Sequence, residues 1–129
     1  MKGGIVMDFD SMSPIWAQVV KRIKSEIVTG KLPPGSKLPG GRDLALQYKI
    51  NPNTAARVYQ ELERQGICQT KRGLGTYVTE DAALIDALRS SMAKDALEQF
   101  LTSLSAIGMS AQDAIQILEN RVNQSSVDC

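Results

Sequence analysis

Residues 51–78 read NPNTAARVYQELERQGICQTKRGLGTYV, and the architecture of the whole chain turns on them. Asn51-Pro52 is a helix start, because an Asn side chain accepts from an orphan backbone N–H and a proline at the first helical position lacks an N–H that would be unpaired anyway. Ala55, Val58, Tyr59 and Leu62 recur at helical spacing and predict a buried stripe, with Asn53, Arg57, Gln60 and Arg64 opposite. Gly66 ends this helix. Ile67–Thr70 and Gly75–Thr79 are β-prone runs joined by Lys71-Arg72-Gly73-Leu74, the signature of a hairpin with a basic tip.

Upstream, a short helix over Gly41–Tyr48 buries Leu44, Ala45 and Tyr48, with Gly40 at the cap position. KLPPGSKLP, residues 31–39, is too rich in proline and glycine for a helix and reads as an extended connector with a turn at Pro34-Gly35. Before it, Ser13 as cap and Pro14 at the first helical position open a helix that ends at Gly30. Ile15, Trp16, Val19, Val20, Ile23 and Ile27 share its buried face. The order is therefore helix, helix, helix, hairpin, which describes a winged helix-turn-helix.

Downstream, Thr79 with Glu80 and Asp81 opens a long helix. Its apolar residues begin as one stripe (Ile85, Leu88, Met92, Ala96, Phe100) and widen to include Ala93, Leu97, Leu101 and Leu104. A face that broad wants more than one neighbour. Gly108 breaks the helix, Ser110 and Asp113 form a capping box, and Ala111, Ala114, Ile115, Leu118 and Val122 supply another stripe. Asn123–Cys129 reads as a frayed polar tail. The boundary is set between residues 1–79 and residues 80–129.

Composition narrows the function. The chain has 129 residues and no histidine, so Ser-His and Cys-His nucleophiles, histidine bases and His-ligated zinc are excluded. Cys68 and Cys129 form no CxxC pair, and Cys68 reads as an inert buried thiol. No paired carboxylates or cofactor motif point to an enzyme, and no metal or cofactor is expected. No apolar run is long enough to span a bilayer and MKGGIVMDFD lacks a signal-peptide core, so a cytoplasmic location is expected. The 15 Lys plus Arg nearly balance 14 Asp plus Glu, but unevenly: residues 1–79 hold 12 bases and 6 acids, a net of +6, and residues 80–129 hold 3 and 8, a net of −5. A basic half is joined to an acidic one.

In a helix-turn-helix the second helix of the pair enters the DNA major groove with its N-terminal residues at the base edges. Those residues here are Asn51, Asn53, Thr54 and Arg57. Asn can pair with adenine, Arg with guanine, and Thr can reach a phosphate or a thymine methyl. Asn51 is more simply a cap than a reader, and Trp16 more simply core than a stacking platform. Lys71 and Arg72 at the hairpin tip can follow the backbone or enter a minor groove. Lys21, Arg22 and Lys24 read equally as phosphate contacts or as a solvated face.

Residues 14–78 resemble the DNA-binding domain of the GntR family of bacterial transcription regulators. The resemblance rests on PIWAQVVKRIKSEIVTGKL, PPGSKLPGGRDLA, INPNTAARVYQELERQG and KRGLGTYV, in that order. The short tail and the NPNT helix start look most like the YtrA-type branch, whose small C-terminal regions serve dimerisation and whose members often regulate transporter operons. The resemblance implies that Arg42, Asn51, Asn53, Thr54, Arg57, Arg72 and Gly73 face DNA, with Lys71 beside them. Gly40-Gly41 departs from the family pattern, which has a capping residue and a non-glycine before this arginine.

The expected fold class is mainly α: an N-terminal winged helix-turn-helix of three helices and a β-hairpin wing, with a two-helix C-terminal dimerisation tail. Two such helices cannot bury their apolar face alone, and a second copy is the economical partner. The expected dimer residues are Leu84, Leu88, Met92, Leu97, Phe100, Leu101, Leu104, Ile115 and Leu118. Two-fold symmetry implies a palindromic double-stranded operator. The function expected is a sequence-specific, dimeric transcriptional repressor of a transporter-type operon. A winged-helix module that binds protein instead is the alternative. No cluster of polar residues marks a small-molecule effector site.

Overall fold

Asn51 accepts the Asn53 N–H on its side-chain oxygen at 2.7 Å, and Pro52 occupies the first helical position. The helix that follows ends as its glycine requires: Gly66, at φ 77°, donates to the Glu63 carbonyl while Ile67 donates to that of Leu62. This closure satisfies carbonyls a helix end leaves open, and Leu62 and Ile67 are both buried beside it. The computed structural model describes residues 13–128; residues 1–12, MKGGIVMDFDSM, and Cys129 lie outside them. The elements are α1 (Ile15–Val28), α2 (Gly41–Tyr48), α3 (Pro52–Arg64), β1 (Cys68–Lys71), β2 (Gly75–Val78), α4 (Ala82–Ala106) and α5 (Ala111–Asp128). They divide into two compact units, Met1–Arg89 and Ser90–Cys129.

In the first unit, α1 and α2 both pack on α3. Val19, Val20, Ile23 and Ile27 of α1 meet Leu44, Ala45 and Tyr48 of α2 and the full expected stripe of α3, Ala55, Val58, Tyr59 and Leu62. Leu38, Ile67, Cys68, Val78 and Ile85 complete this core. Arg89 adds a hydrogen bond at 2.6 Å to the Val28 carbonyl at the end of α1. The first turn of α1 departs from expectation. Pro14 itself is the cap residue, its carbonyl accepting from Ala17 and Gln18, so Ser13 stands outside the helix and offers only its own carbonyl, to the Gln18 side chain. That turn overhangs the core, which leaves Ile15 exposed and Trp16 half-buried at its edge.

The hairpin pairs Cys68 with Val78 and Lys71 with Gly75. The first strand starts one residue later than the sequence predicts, because the Ile67 N–H is taken by the end of α3. The connector is extended, but it also pairs: Gly35 and Leu38 donate to the Val78 and Thr76 carbonyls, and Val78 donates to Ser36. Residues 35–38 thus line the far edge of β2.

Asp81, not Thr79, caps α4, its carboxylate accepting from the Ala83 and Leu84 N–H groups at 3.0 and 3.2 Å; Thr79 instead accepts from Asp81. In the second unit the end of α4 is closed by Gly108 and Met109 donating to Ser105 and Leu104. The capping box forms as predicted, with Asp113 N–H to the Ser110 hydroxyl and Ser110 N–H to the Asp113 carboxylate. Residues 123–128 continue α5 as helix rather than forming a frayed tail. Among the described residues of this unit only Leu104 and Ala114 are buried. No helix among the described residues is long and apolar enough to cross a membrane.

Candidate nucleic-acid interface

Helix α3 divides sharply into two faces. One is wholly committed to the core, which fixes the rotation of the helix, and the other presents Asn53, Arg57, Gln60 and Arg64 to solvent with Thr54 half-buried between the faces. Asn51 uses its side-chain oxygen as the cap, in agreement with its simpler reading, and keeps its side-chain NH2 out of that bond. The two arginines of α3 are held differently. Arg64 pairs with Glu61, whose carboxylate also accepts from Gln65; these hydrogen bonds hold the Glu61 carboxyl down at about 2 and raise the Arg64 guanidinium. Arg57 instead lies over the Trp16 ring, 4.4 Å from its centroid.

Arg42 is exposed in the first turn of α2. No side chain caps this helix; the Gly40 carbonyl accepts from Leu44 at 2.8 Å, so the two glycines still begin a regular turn. A contact the sequence reading missed secures its approach: the Tyr59 hydroxyl of α3 donates to the Pro39 carbonyl. Tyr59 lies within the buried stripe, and its second role joins segments too distant for any local pattern to announce. Burial pushes its phenol well above the ordinary value.

At the wing, Arg72, Gly73 and Leu74 form the exposed tip, closed by Leu74 N–H to the Lys71 carbonyl at 2.8 Å. Lys71 sits over the Tyr77 ring at 4.7 Å, and the Thr70 and Thr76 hydroxyls bond across the strands at 3.1 Å. Gly75 is required by its backbone, whose φ of 124° strains any side chain; a Cβ there would also stand 2.7 Å from the end of the flexible Lys37 side chain, which can move aside. Cys68 at the wing's base is buried among apolar groups, which pushes its thiol up to about 12 and leaves it protonated at neutral pH.

The residues expected at a dimer interface fall into two sets. Leu88 packs on the core of the first unit, Leu84 is half-buried near Gly66, and Leu104 is buried. Leu97, Ile115 and Leu118 are exposed, and Met92, Phe100 and Leu101 are half-buried.

Residues 16–78 match the family profile of the bacterial regulatory proteins of the gntR family. The HTH-type transcriptional repressor YtrA of Bacillus subtilis is 40% identical over 99 residues, 75% of each chain. A GntR family transcriptional regulator from Listeria monocytogenes superposes with a TM-score of 0.79 at 39% identity, over 87% of this chain and 98% of its own. AraR(DBD) in complex with operator ORX1 is similar at a TM-score of 0.55 and 29% identity, over 61% of this chain and all of that one, 100%. With this winged helix-turn-helix and these relatives, the chain belongs to the GntR family of DNA-binding transcription regulators.

Proposed function

We propose that the chain is a homodimeric cytoplasmic repressor of the YtrA-type branch that reads a palindromic operator at a transporter-type operon. Asn53, Thr54 and Arg57 are assigned to base edges, Arg42 and Asn51 to the adjoining backbone, and Lys71, Arg72 and Gly73 to the flanking groove. The observation that carries this reading is the solvent face of α3: a polar row with readable side chains, on a helix whose rotation the core fixes. The likeness to a domain solved with its operator supports DNA as the partner and weighs against a module that binds only protein.

Dimerisation is assigned to the second unit. Its Leu97, Ile115 and Leu118 are large apolar side chains that its own helices leave exposed, and a second copy would remove them from water. The test is selection of duplexes from a random-sequence pool by the full chain, followed by titration of the recovered site. A palindrome is expected, and Arg57→Ala should cost about 1–3 kcal/mol on it and little on a scrambled duplex. Recovery of no common sequence overturns operator reading, and a monomer in light scattering overturns the dimer.

A further inference from the structure

We propose that Trp16 is a positioning residue for readout by Arg57, its ring holding the guanidinium in the reading pose both before DNA arrives and while it is bound. The inference rests on Arg57 reading a base, as proposed above, and adds what prepares it to do so.

Half of Trp16 packs against the core at the junction of α1 and α3, so protein packing fixes the ring rather than leaving it to solvent. Its remaining face receives the Arg57 guanidinium at 4.4 Å. A guanidinium over an aromatic ring is attracted by the ring's negative face rather than by an acceptor atom, so its five N–H donors are not taken up by an acceptor. Stacking therefore does not compete with the two in-plane hydrogen bonds by which an arginine recognises guanine. Arg64, on the same helix, shows the contrast: the Glu61 carboxylate holds it by accepting from those donors. Among the described residues Arg57 has no carboxylate partner. Of the two ways α3 restrains an arginine, only the aromatic one leaves it able to read. A side chain already ordered loses less freedom on binding, and that saving falls only on the site where its hydrogen bonds form.

Trp16 is the chain's only tryptophan, so its fluorescence reports on this pair alone. The probes are the duplex that the wild-type chain selects from a random pool and a scrambled duplex of equal length and composition. Trp16→Leu is expected to weaken the selected duplex about three- to tenfold and the scrambled one less than about twofold, with Trp16→Phe restoring most of the loss. In an Arg57→Ala background Trp16→Leu should cost nothing further. Equal losses on both duplexes, or full additivity with Arg57→Ala, overturn the positioning role. Should Trp16→Leu fold poorly, chains that keep Trp16 still decide: acrylamide quenching of Trp16 should rise in Arg57→Ala and stay low when the wild type binds its duplex. Quenching that rises on wild-type binding means that Arg57 leaves the ring, and overturns the proposal. If Arg57→Ala instead binds the selected duplex like the wild type, the base-reading role itself fails.

Discussion

Tyr48 places a phenolic hydroxyl in the core with no hydrogen-bond partner among the described residues, and burial pushes its pKa up to about 12. Its neighbour in the core, Tyr59, spends its hydroxyl on Pro39. The two tyrosines are alike in sequence context and opposite in consequence. An unsatisfied buried polar group costs about 1–3 kcal/mol, whereas the ring's apolar burial is independent of the oxygen. Tyr48→Phe should therefore stabilise the chain by about 1 kcal/mol in urea unfolding. Tyr59→Phe should do the reverse, and loosen the approach to Arg42. Equal effects from the two would show that the Tyr48 hydroxyl is satisfied by water. At this scale the candidate site was partly legible: Asn53, Thr54 and Arg57 follow from the cap at Asn51, because a cap fixes helical register from one residue. The Trp16–Arg57 stack joins distant segments, and no local rule reaches it. The exposure of Leu46 and Leu74, at 71% and 62%, was equally out of reach, since periodicity marks apolar residues without saying which lack a neighbour.

Among the elements, α2 ends unusually. Lys49 adopts φ 56°, the one non-glycine residue with positive φ among those described, while Ile50 donates to the Ala45 carbonyl to close the helix. Glycine adopts this left-handed conformation without the Cβ clash, which costs other residues about 1 kcal/mol. Lys49→Gly should accordingly raise the unfolding midpoint, by the equivalent of about 0.5–1 kcal/mol. A lower midpoint would mean that the Lys49 side chain contributes more than its backbone loses. The turn between α2 and α3 thus closes on a lysine where a glycine would fit more easily. Other boundaries were readable where chemistry is local, as at Gly66, Gly108 and the Ser110–Asp113 box. They shifted where two candidates compete. Thr79 and Asp81 can both cap, and the carboxylate wins because it sits where two helical N–H groups converge on it. The strand-like pairing of residues 35–38 could not be read at all, since its partner is the distant β2.

For the molecule as a whole, the opposed charges of its two halves shape how it meets DNA. Phosphate contacts release counterions, so affinity falls steeply with salt, by roughly one counterion for each contact made. Arg72→Ala at the exposed wing tip should lower affinity for selected and scrambled duplexes alike and flatten the salt slope by about 1. An unchanged slope in a salt titration would remove Arg72 from the phosphate contacts. The pairing of residues 35–38 with β2 bears on a different property of the whole chain, its resistance to aggregation. A hairpin with an open margin invites strands from other molecules to extend it. Here that margin is already occupied by Gly35, Ser36 and Leu38, and Pro33, Pro34 and Pro39 on either side cannot donate to a growing ladder. The connector between the first two helices therefore also seals the wing against intermolecular β-addition along that edge.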